Sequence, residues 1–144
     1  MGLLKLAQMP IVTVEPETTV FEAVTIMDRE NIGAVPVLDG NTIVGIFSER
    51  DVMLRVVLAK RDPEKTRIRT VMSYPVETIR REKTVDEALK LMIEKHIRHL
   101  PVVTSEGAVA GMLSIRNLLH DKVEELTWEL DSLEAYFTAD GAGG

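Results

Sequence analysis

The chain of 144 residues lacks several features that would assign it to a familiar functional class. It has no cysteine, which excludes disulfide bonds, iron–sulfur clusters and a cysteine nucleophile. No apolar run approaches the roughly 18 residues that a membrane span needs. The first ten residues do not resemble a signal peptide, and Leu6 stands where a myristoylation signal has Ser or Thr. We therefore expect a cytoplasmic protein with no membrane partner.

Surplus positive charge is also missing, since the net charge is −6. One lysine and seven acids fall in residues 121–144, which leaves 16 Lys and Arg against 16 Asp and Glu in residues 1–120. Affinity for nucleic acid comes mainly from neutralising phosphates. The cations of residues 60–83 alternate with acids, and Tyr74 is the single aromatic among them. We interpret this stretch as a solvated surface and predict no nucleic-acid partner; RNA binding is the alternative.

The chain contains one internal duplication. Residues 10–38 align with residues 75–103 at an offset of 65, and residues 42–53 align with residues 108–119 at an offset of 66. Fourteen of the 44 positions from 10 to 53 are identical in the second copy. Two copies with so long a period indicate a duplicated unit and not a solenoid.

Both copies predict the element order β-α-β-β-α. A short β-rich run comes first, and a helix then begins at Thr19 or Thr84, each followed three residues later by a glutamate, as in a capping box. In the first copy, two strands over residues 34–38 and 42–47 are joined by a turn. A second helix starts at Ser48.

We expect an α/β fold in which the two β-α-β-β-α repeats pack sheet to sheet with pseudo-two-fold symmetry, because each sheet must cover the face that its helices leave free. The predicted boundaries are 1–60 for repeat 1, 61–70 for a polar linker, 71–120 for repeat 2, 121–138 for a C-terminal amphipathic helix and 139–144 for a flexible tail.

Neither repeat carries a recognisable catalytic set. No histidine stands at a repeated position, so Ser48 and Ser114 have no base to activate them. His96 and His99 are spaced to share a metal on a helix face, but no carboxylate matches them, and the following Leu-Pro predicts that the helix has already ended. We predict that the protein is not an enzyme and holds no metal.

Binding chemistry is better represented after the third strand of each repeat. Gly45-Ile-Phe-Ser-Glu-Arg-Asp51 and Gly111-Met-Leu-Ser-Ile-Arg-Asn117 each place a serine at a helix start, with an arginine two residues on and Asp or Asn three residues on. Free N–H groups at a helix start suit a phosphate, arginine strengthens such a site, and a carboxylate can accept both hydroxyls of a ribose. Alternatively, Ser-x-x-Asp is a capping box without a ligand. Both interpretations are open on the motif alone.

These residues resemble a tandem pair of cystathionine β-synthase (CBS) domains, also called a Bateman module. The resemblance rests on the Thr-Val-x-Glu-Ala pattern of the first helices, on the segment 45–51 and on Ile97-Arg-His-Leu-Pro-Val-Val103. It covers residues 9–120, so both copies carry it.

The resemblance implies an adenosyl ligand in clefts between the repeats. It makes Asp51 the ribose acceptor of one cleft, with Ser48 and Arg50 near the phosphates. The second cleft would use Ser114, Arg116 and Asn117, and we expect it to be weaker or empty because an amide replaces the acid. Further implied contacts are Arg98 and His99 with phosphate, and Thr13, Thr78 and Ile79 with adenine.

A heptad pattern follows the second repeat. Six apolar residues recur at intervals of 4, 3, 4, 3 and 4, namely Leu119, Val123, Leu126, Leu130, Leu133 and Phe137. The sequence predicts a helix that packs on a partner chain; folding back onto its own body is the alternative.

Together these patterns predict a non-catalytic regulatory module that binds AMP, ADP, ATP or a related adenosyl compound and requires no cofactor. We expect a homodimer that signals to an unidentified protein partner by a change in conformation or in partner affinity. The alternative is a ligand-free scaffold that associates through the C-terminal helix.

Overall fold

Each repeat begins its first helix at a threonine cap. In the computed structural model, which describes residues 2–7 and 11–143 and side chains as far as residue 136, helix α1 spans Val20–Glu30 and its counterpart α3 spans Val85–Lys95. Thr19 Oγ1 accepts a hydrogen bond from the Glu22 N–H at 3.2 Å, and the Glu22 carboxylate accepts one from the Thr19 N–H. Thr84 caps α3 through its own side chain, so both predicted helix starts are confirmed.

Two antiparallel hairpins form the sheets. Strands β1 (Ala34–Asp39) and β2 (Thr42–Ser48) pair in repeat 1, whereas β3 (Ile79–Arg80), β4 (His99–Val103) and β5 (Val109–Ser114) form the sheet of repeat 2. Strand β3 runs parallel to β4. The β-rich run that opens repeat 1 makes only a single parallel bridge, between Val14 and Val37.

The second helices of the two repeats differ in length. Helix α2 spans Glu49–Asp51 and continues as a π-helical segment over Val52–Val57. Helix α4 spans Ile115–Gly143 without a break, so the last helix of repeat 2 and the C-terminal helix are one element. It extends beyond residue 138 to Gly143, into the predicted flexible tail of residues 139–144. None of the described helices combines the length and apolar character required to cross a membrane.

Each repeat completes its hydrophobic core with the segment that precedes the other repeat. Leu3 is fully buried among the core residues of repeat 2, such as Leu100 and Leu118. Ile68 and Val71 are buried in the core of repeat 1. Positions 3 and 68 are 65 residues apart, which is the offset of the duplication. The chain entering each repeat is therefore shared between the two units, and boundaries at residues 60 and 70 do not follow the packing.

The segment before repeat 2 is an ordered part of repeat 1. The Ile68 N–H donates to the Thr18 carbonyl at 2.9 Å, and Ser73 and Ile46 exchange backbone hydrogen bonds of 3.0 and 2.8 Å along the edge of β2. These bonds dock residues 66–73 on repeat 1. The predicted α/β architecture, with two paired repeats and a C-terminal helix, is confirmed.

Candidate functional site

The start of α2 in repeat 1 is closed by its own side chains. Asp51 is only 6% exposed. Its Oδ2 accepts hydrogen bonds from the Ser48 N–H at 3.0 Å and the Ser48 Oγ at 3.2 Å, and Ser48 Oγ in turn accepts from the Asp51 N–H at 3.3 Å. Oδ1 accepts a hydrogen bond of 2.9 Å from Ser73 Oγ. Of the two interpretations of Ser-x-x-Asp, repeat 1 adopts the capping box.

The equivalent helix start in repeat 2 is open. Within the described part of the chain, the side chains of Ser114 and Asn117 form no hydrogen bond with each other or with a neighbour, and Arg116 has no ion-pair partner. An amide at position 117 does not reproduce the bonds that Asp51 makes to its serine. The first turn of α4 therefore presents a hydroxyl, a guanidinium and the N-terminal end of a helix without an acid beside them.

Equivalent backbone bonds bring the start of each hairpin to the start of the following helix. The Ile115 N–H donates to the Arg98 carbonyl at 2.9 Å, and the Glu49 N–H donates to the Gly33 carbonyl at 3.0 Å. The basic pair Arg98 and His99 consequently lies next to the open turn of α4. In repeat 1 the corresponding position is glycine, which leaves space.

These two helix starts line an open cleft between the repeats, with a volume of about 1220 Å³. Repeat 2 contributes polar groups to it, namely Arg98, His99, Ser114, Arg116 and Asn117. Apolar side chains from both repeats, including Met27, Ile32, Val52 and Met112, line other parts of the cleft. The cleft thus combines apolar surface with the guanidinium groups of Arg98 and Arg116, which form no ion pair among the described residues, and this combination suits an amphipathic anion.

At Gly33 the two repeats lie close together in the cleft. A Cβ atom at this position would lie 3.3 Å from both Glu49 Oε1 and His99 Nε2. Burial of the His99 imidazole lowers its pKa below the ordinary value; the carboxylate of Glu49 opposes this effect and the Arg98 guanidinium adds to it. His99 therefore favours its neutral form, and an arriving anion would favour the protonated form.

Five of the eleven predicted site residues meet in this cleft, all of them from repeat 2. Ser48, Arg50, Asp51, Thr13, Thr78 and Ile79 do not line it. Ile79 lies in the core of repeat 2 and pairs with Val102 in the sheet. Sequence reasoning missed Glu49, the acid that repeat 1 contributes. Its position beside Ser48 in the duplicated motif was the available signal, because its counterpart is the apolar Ile115.

The histidine pair does not form a shared helical face. His96 follows the last residue of α3 with a left-handed φ of 56°, whereas His99 is the first residue of β4. The described residues contain no group of three or more His, Asp or Glu side chains arranged to hold a metal ion.

Acids neutralise much of the basic stretch of residues 60–83. Arg69 Nε lies 2.8 Å from Glu17 Oε1, and Arg80 and Arg81 each lie 3.6 Å from Glu82. Lys83 pairs with Glu87 at 3.6 Å. The side chains of these pairs are each more than half exposed.

A profile of the CBS domain family matches the chain twice, at residues 6–58 and 68–124. The chain belongs to the CBS domain family. The second match begins at Ile68, which packs in the core of repeat 1, and the first begins three residues after Leu3. The CBS pair identified from the duplicated motifs is thereby confirmed.

Relatives of this CBS pair include proteins of similar and of greater length. The CBS domain-containing protein YhcV of Bacillus subtilis is 32% identical over 108 residues, which are 75% of this chain and 76% of YhcV. The mitochondrial CBS domain-containing protein CBSX3 of Arabidopsis thaliana is 32% identical over 125 residues, 83% of this chain and 60% of CBSX3. The chain thus spans about three-fifths of that relative.

A solved structure shows the same fold with a bound nucleotide. The CBS domain protein PAE2072 from Pyrobaculum aerophilum, complexed with AMP, is 27% identical and superposes with a TM-score of 0.74 over 81% of this chain and 89% of that chain. AMP binding is a property of PAE2072. It shows that a pair of CBS domains with this fold can hold an adenosine monophosphate.

Proposed function

We propose that this CBS pair is a non-catalytic regulatory module that binds an adenosine phosphate in the cleft between its repeats. The observation that carries the proposal is the convergence of Arg98, His99, Ser114 and Arg116 on one uncapped helix start. The complex of PAE2072 with AMP supports the ligand class.

The phosphate would bind at the first turn of α4. Its oxygens accept hydrogen bonds from free backbone N–H groups and from the Ser114 hydroxyl. The guanidinium groups of Arg98 and Arg116 supply charge-assisted hydrogen bonds, which are about twice as strong as neutral ones. His99 gains a proton as the anion approaches, because a nearby negative charge favours the imidazolium form.

The nucleoside would occupy the apolar and acidic parts of the cleft. Adenine packs against apolar side chains such as Met27, Ile32 and Met112, and the Glu49 carboxylate and the Asn117 amide accept hydrogen bonds from the ribose hydroxyls. Three acids, Asp28, Glu30 and Glu49, also line the cleft. They oppose a large negative charge, so we expect AMP to bind more tightly than ATP.

The signal would leave the module through α4. This helix supplies Ser114 and Arg116 to the cleft at one end and carries the exposed apolar residues beyond residue 118. A ligand shifts an equilibrium only by its difference in affinity for the two states. Binding at the first turn therefore favours the position of α4 that best contacts the phosphate, and a partner can detect that position.

Calorimetric titration with AMP, ADP, ATP and S-adenosylmethionine tests the proposal. We expect AMP to bind at one site per chain. Arg116→Ala should weaken AMP binding about 10- to 100-fold, because a hydrogen bond to a charged group contributes about 1.5–3 kcal/mol.

The duplication provides a matched control for this titration. Arg50 is the counterpart of Arg116 in repeat 1. Both side chains are exposed, but Arg50 does not line the cleft. Arg50→Ala should leave the affinity unchanged. Loss of binding in Arg50→Ala but not in Arg116→Ala would move the site to repeat 1, and absence of binding by every ligand would reject the proposal.

A ligand-free scaffold is the second candidate, favoured by the exposed apolar residues of α4. Truncation after His120 separates the two functions. A sensor keeps its affinity for AMP when the rest of α4 is removed, whereas a scaffold has no nucleotide affinity to keep and loses its association.

A further inference from the structure

The apolar seam of α4 is uncovered in the single chain. Its members in the described part of the helix are Leu119, Val123, Leu126, Leu130 and Leu133, and between 46% and 61% of each is exposed. They follow one another at intervals of 4, 3, 4 and 3, which places them on one stripe of the helix. The helix does not fold back to bury this stripe against its own chain.

Contacts of α4 with its own chain are concentrated near its start. Leu118 is fully buried in the core of repeat 2. One helical turn later, Lys122 Nζ lies 3.0 Å from Asp86 Oδ1 of α3. The first turns are thus anchored in the body of the protein, and the exposed stripe begins at Leu119, directly beside the buried Leu118.

The charges beside the seam are separated along the helix. Arg116, His120 and Lys122 lie at its start together with one acid, Asp121, whereas residues 123–144 contain no Lys or Arg and six acids, namely Glu124, Glu125, Glu129, Asp131, Glu134 and Asp140. The basic residues at the start of α4 are complementary in charge to the acidic residues of its later turns. A second copy of the same helix, running in the opposite direction, would place the two kinds of charge beside each other.

Heptad positions distinguish the two orientations of a pair. In the heptad, Val123 and Leu130 occupy position a and Leu126 occupies position d, so Glu129 is at g and Glu134 is at e. In a parallel pair, Glu129 of each subunit would lie beside Glu134 of the partner subunit, which gives two contacts of like charge. In an antiparallel pair, His120 of each subunit lies beside Glu134 of the partner subunit. One contact of like charge is then present, between the two copies of Glu129.

We propose that two copies of this chain associate through α4 as an antiparallel helix pair. Leu126 packs against Leu130 of the partner subunit, and Val123 packs against Leu133 of the partner subunit. The pairing covers the exposed stripe and sets basic helix starts beside acidic helix ends. It requires no ligand in the cleft, so it stands whether or not the chain binds a nucleotide.

The absence of cysteine allows a direct test by engineered disulfides. We expect the double variant Val123→Cys/Leu133→Cys to form a covalent dimer on mild oxidation, because these positions face each other across the antiparallel pair. Each single variant should remain uncrosslinked, while a mixture of the two single variants should crosslink. Ser132→Cys, an exposed position away from the seam, is the control and should not crosslink in any combination.

Sedimentation of the full chain supplies the second measurement. Leu126→Lys should raise the dimer dissociation constant about 100-fold, because each dimer then places two charges in its apolar centre. Ser132→Lys should leave the dissociation constant unchanged, and circular dichroism verifies that each variant is folded. Crosslinking of Val123→Cys alone would demonstrate a parallel pair, and a wild-type chain that stays monomeric at all concentrations would mean that another protein covers α4; either result overturns the proposal.

Discussion

The hydroxyl of Ser73 donates a hydrogen bond of 2.9 Å to Oδ1 of Asp51, and this bond joins the chain entering repeat 2 to the helix start of repeat 1. Arg55 Nε lies 3.7 Å from the same oxygen. Asp51 therefore links three elements: the end of β2 through Ser48, the helix that follows, and the segment before repeat 2. In this structure Asp51 attaches the segment before repeat 2 to the helix start of repeat 1.

Asp51→Asn tests that role. We expect the variant to lower the free energy of unfolding by about 1–3 kcal/mol, because the partly buried donors of Ser48 and Ser73 lose a charged acceptor. Urea unfolding measures the change, and Asp131→Asn, an exposed carboxylate on α4, is the control. The affinity for AMP should be unchanged in the folded variant. A tenfold loss of that affinity would instead support the ribose role that the family resemblance implies.

The lowered pKa of His99 predicts how the free energy of unfolding depends on pH. Burial lowers the pKa of His99 in the folded chain, whereas an unfolded histidine titrates near 6.5. Between these values the unfolded chain binds more protons, so the contribution of His99 to stability is complete above pH 6.5 and is lost as the pH falls through this range. Unfolding free energies measured from pH 8 to pH 5 should show this decline in the wild type, and His99→Asn should lack the His99 part of it.

Glu49→Gln provides the internal check on His99. The Glu49 carboxylate raises the His99 pKa, so its removal should lower that pKa further in an NMR titration. An unchanged or higher His99 pKa in Glu49→Gln would contradict the cleft geometry at Gly33. Addition of AMP should shift the His99 pKa upward.

The burial of Leu3 and Ile68 predicts that the stability of each repeat depends equally on the segment that precedes the other repeat. Each side chain is fully buried in the core of the repeat that its own segment does not precede. Leu3→Ala and Ile68→Ala should each lower the free energy of unfolding by about 2–5 kcal/mol, the usual cost of truncating a buried aliphatic residue. Chemical denaturation gives the values, and Lys5→Ala, an exposed neighbour of Leu3, should have little effect. A change below 1 kcal/mol in Leu3→Ala would show that the N-terminal segment is dispensable for the core of repeat 2.

Local features of the chain were predictable because their energetics depend on nearby residues. Thr19 and Glu22 lie one helical turn apart, so a capping box is visible in the sequence. The hairpin of β1 and β2 follows from two apolar runs around a short turn. Among the described residues, the short β-rich run expected at the start of repeat 1 forms a single bridge, between Val14 and Val37, because pairing with a distant strand depends on how the two segments meet in space.

Long-range contacts account for the differences at the site. The motif at Ser48 permits both a cap and an anion site, and the partly buried hydroxyl of Ser73, 22 residues beyond Asp51, supports the cap by donating a hydrogen bond to Asp51. The same motif at Ser114 remains open because Asn117 makes no such bonds within the described part of the chain. Glu49 and His99 are 50 residues apart in sequence and converge only through the packing of the repeats around Gly33.

From the residues alone follow the duplication, the order of helices and strands, and the CBS family, because caps, turns and apolar periodicity act over a few neighbouring positions. Folding in three dimensions assigned Leu3 to the core of repeat 2, closed the helix start at Asp51 and gathered the polar groups of the cleft around α4. These outcomes depend on which distant side chains occupy the same space, and contact energies across such distances leave no local pattern in the chain.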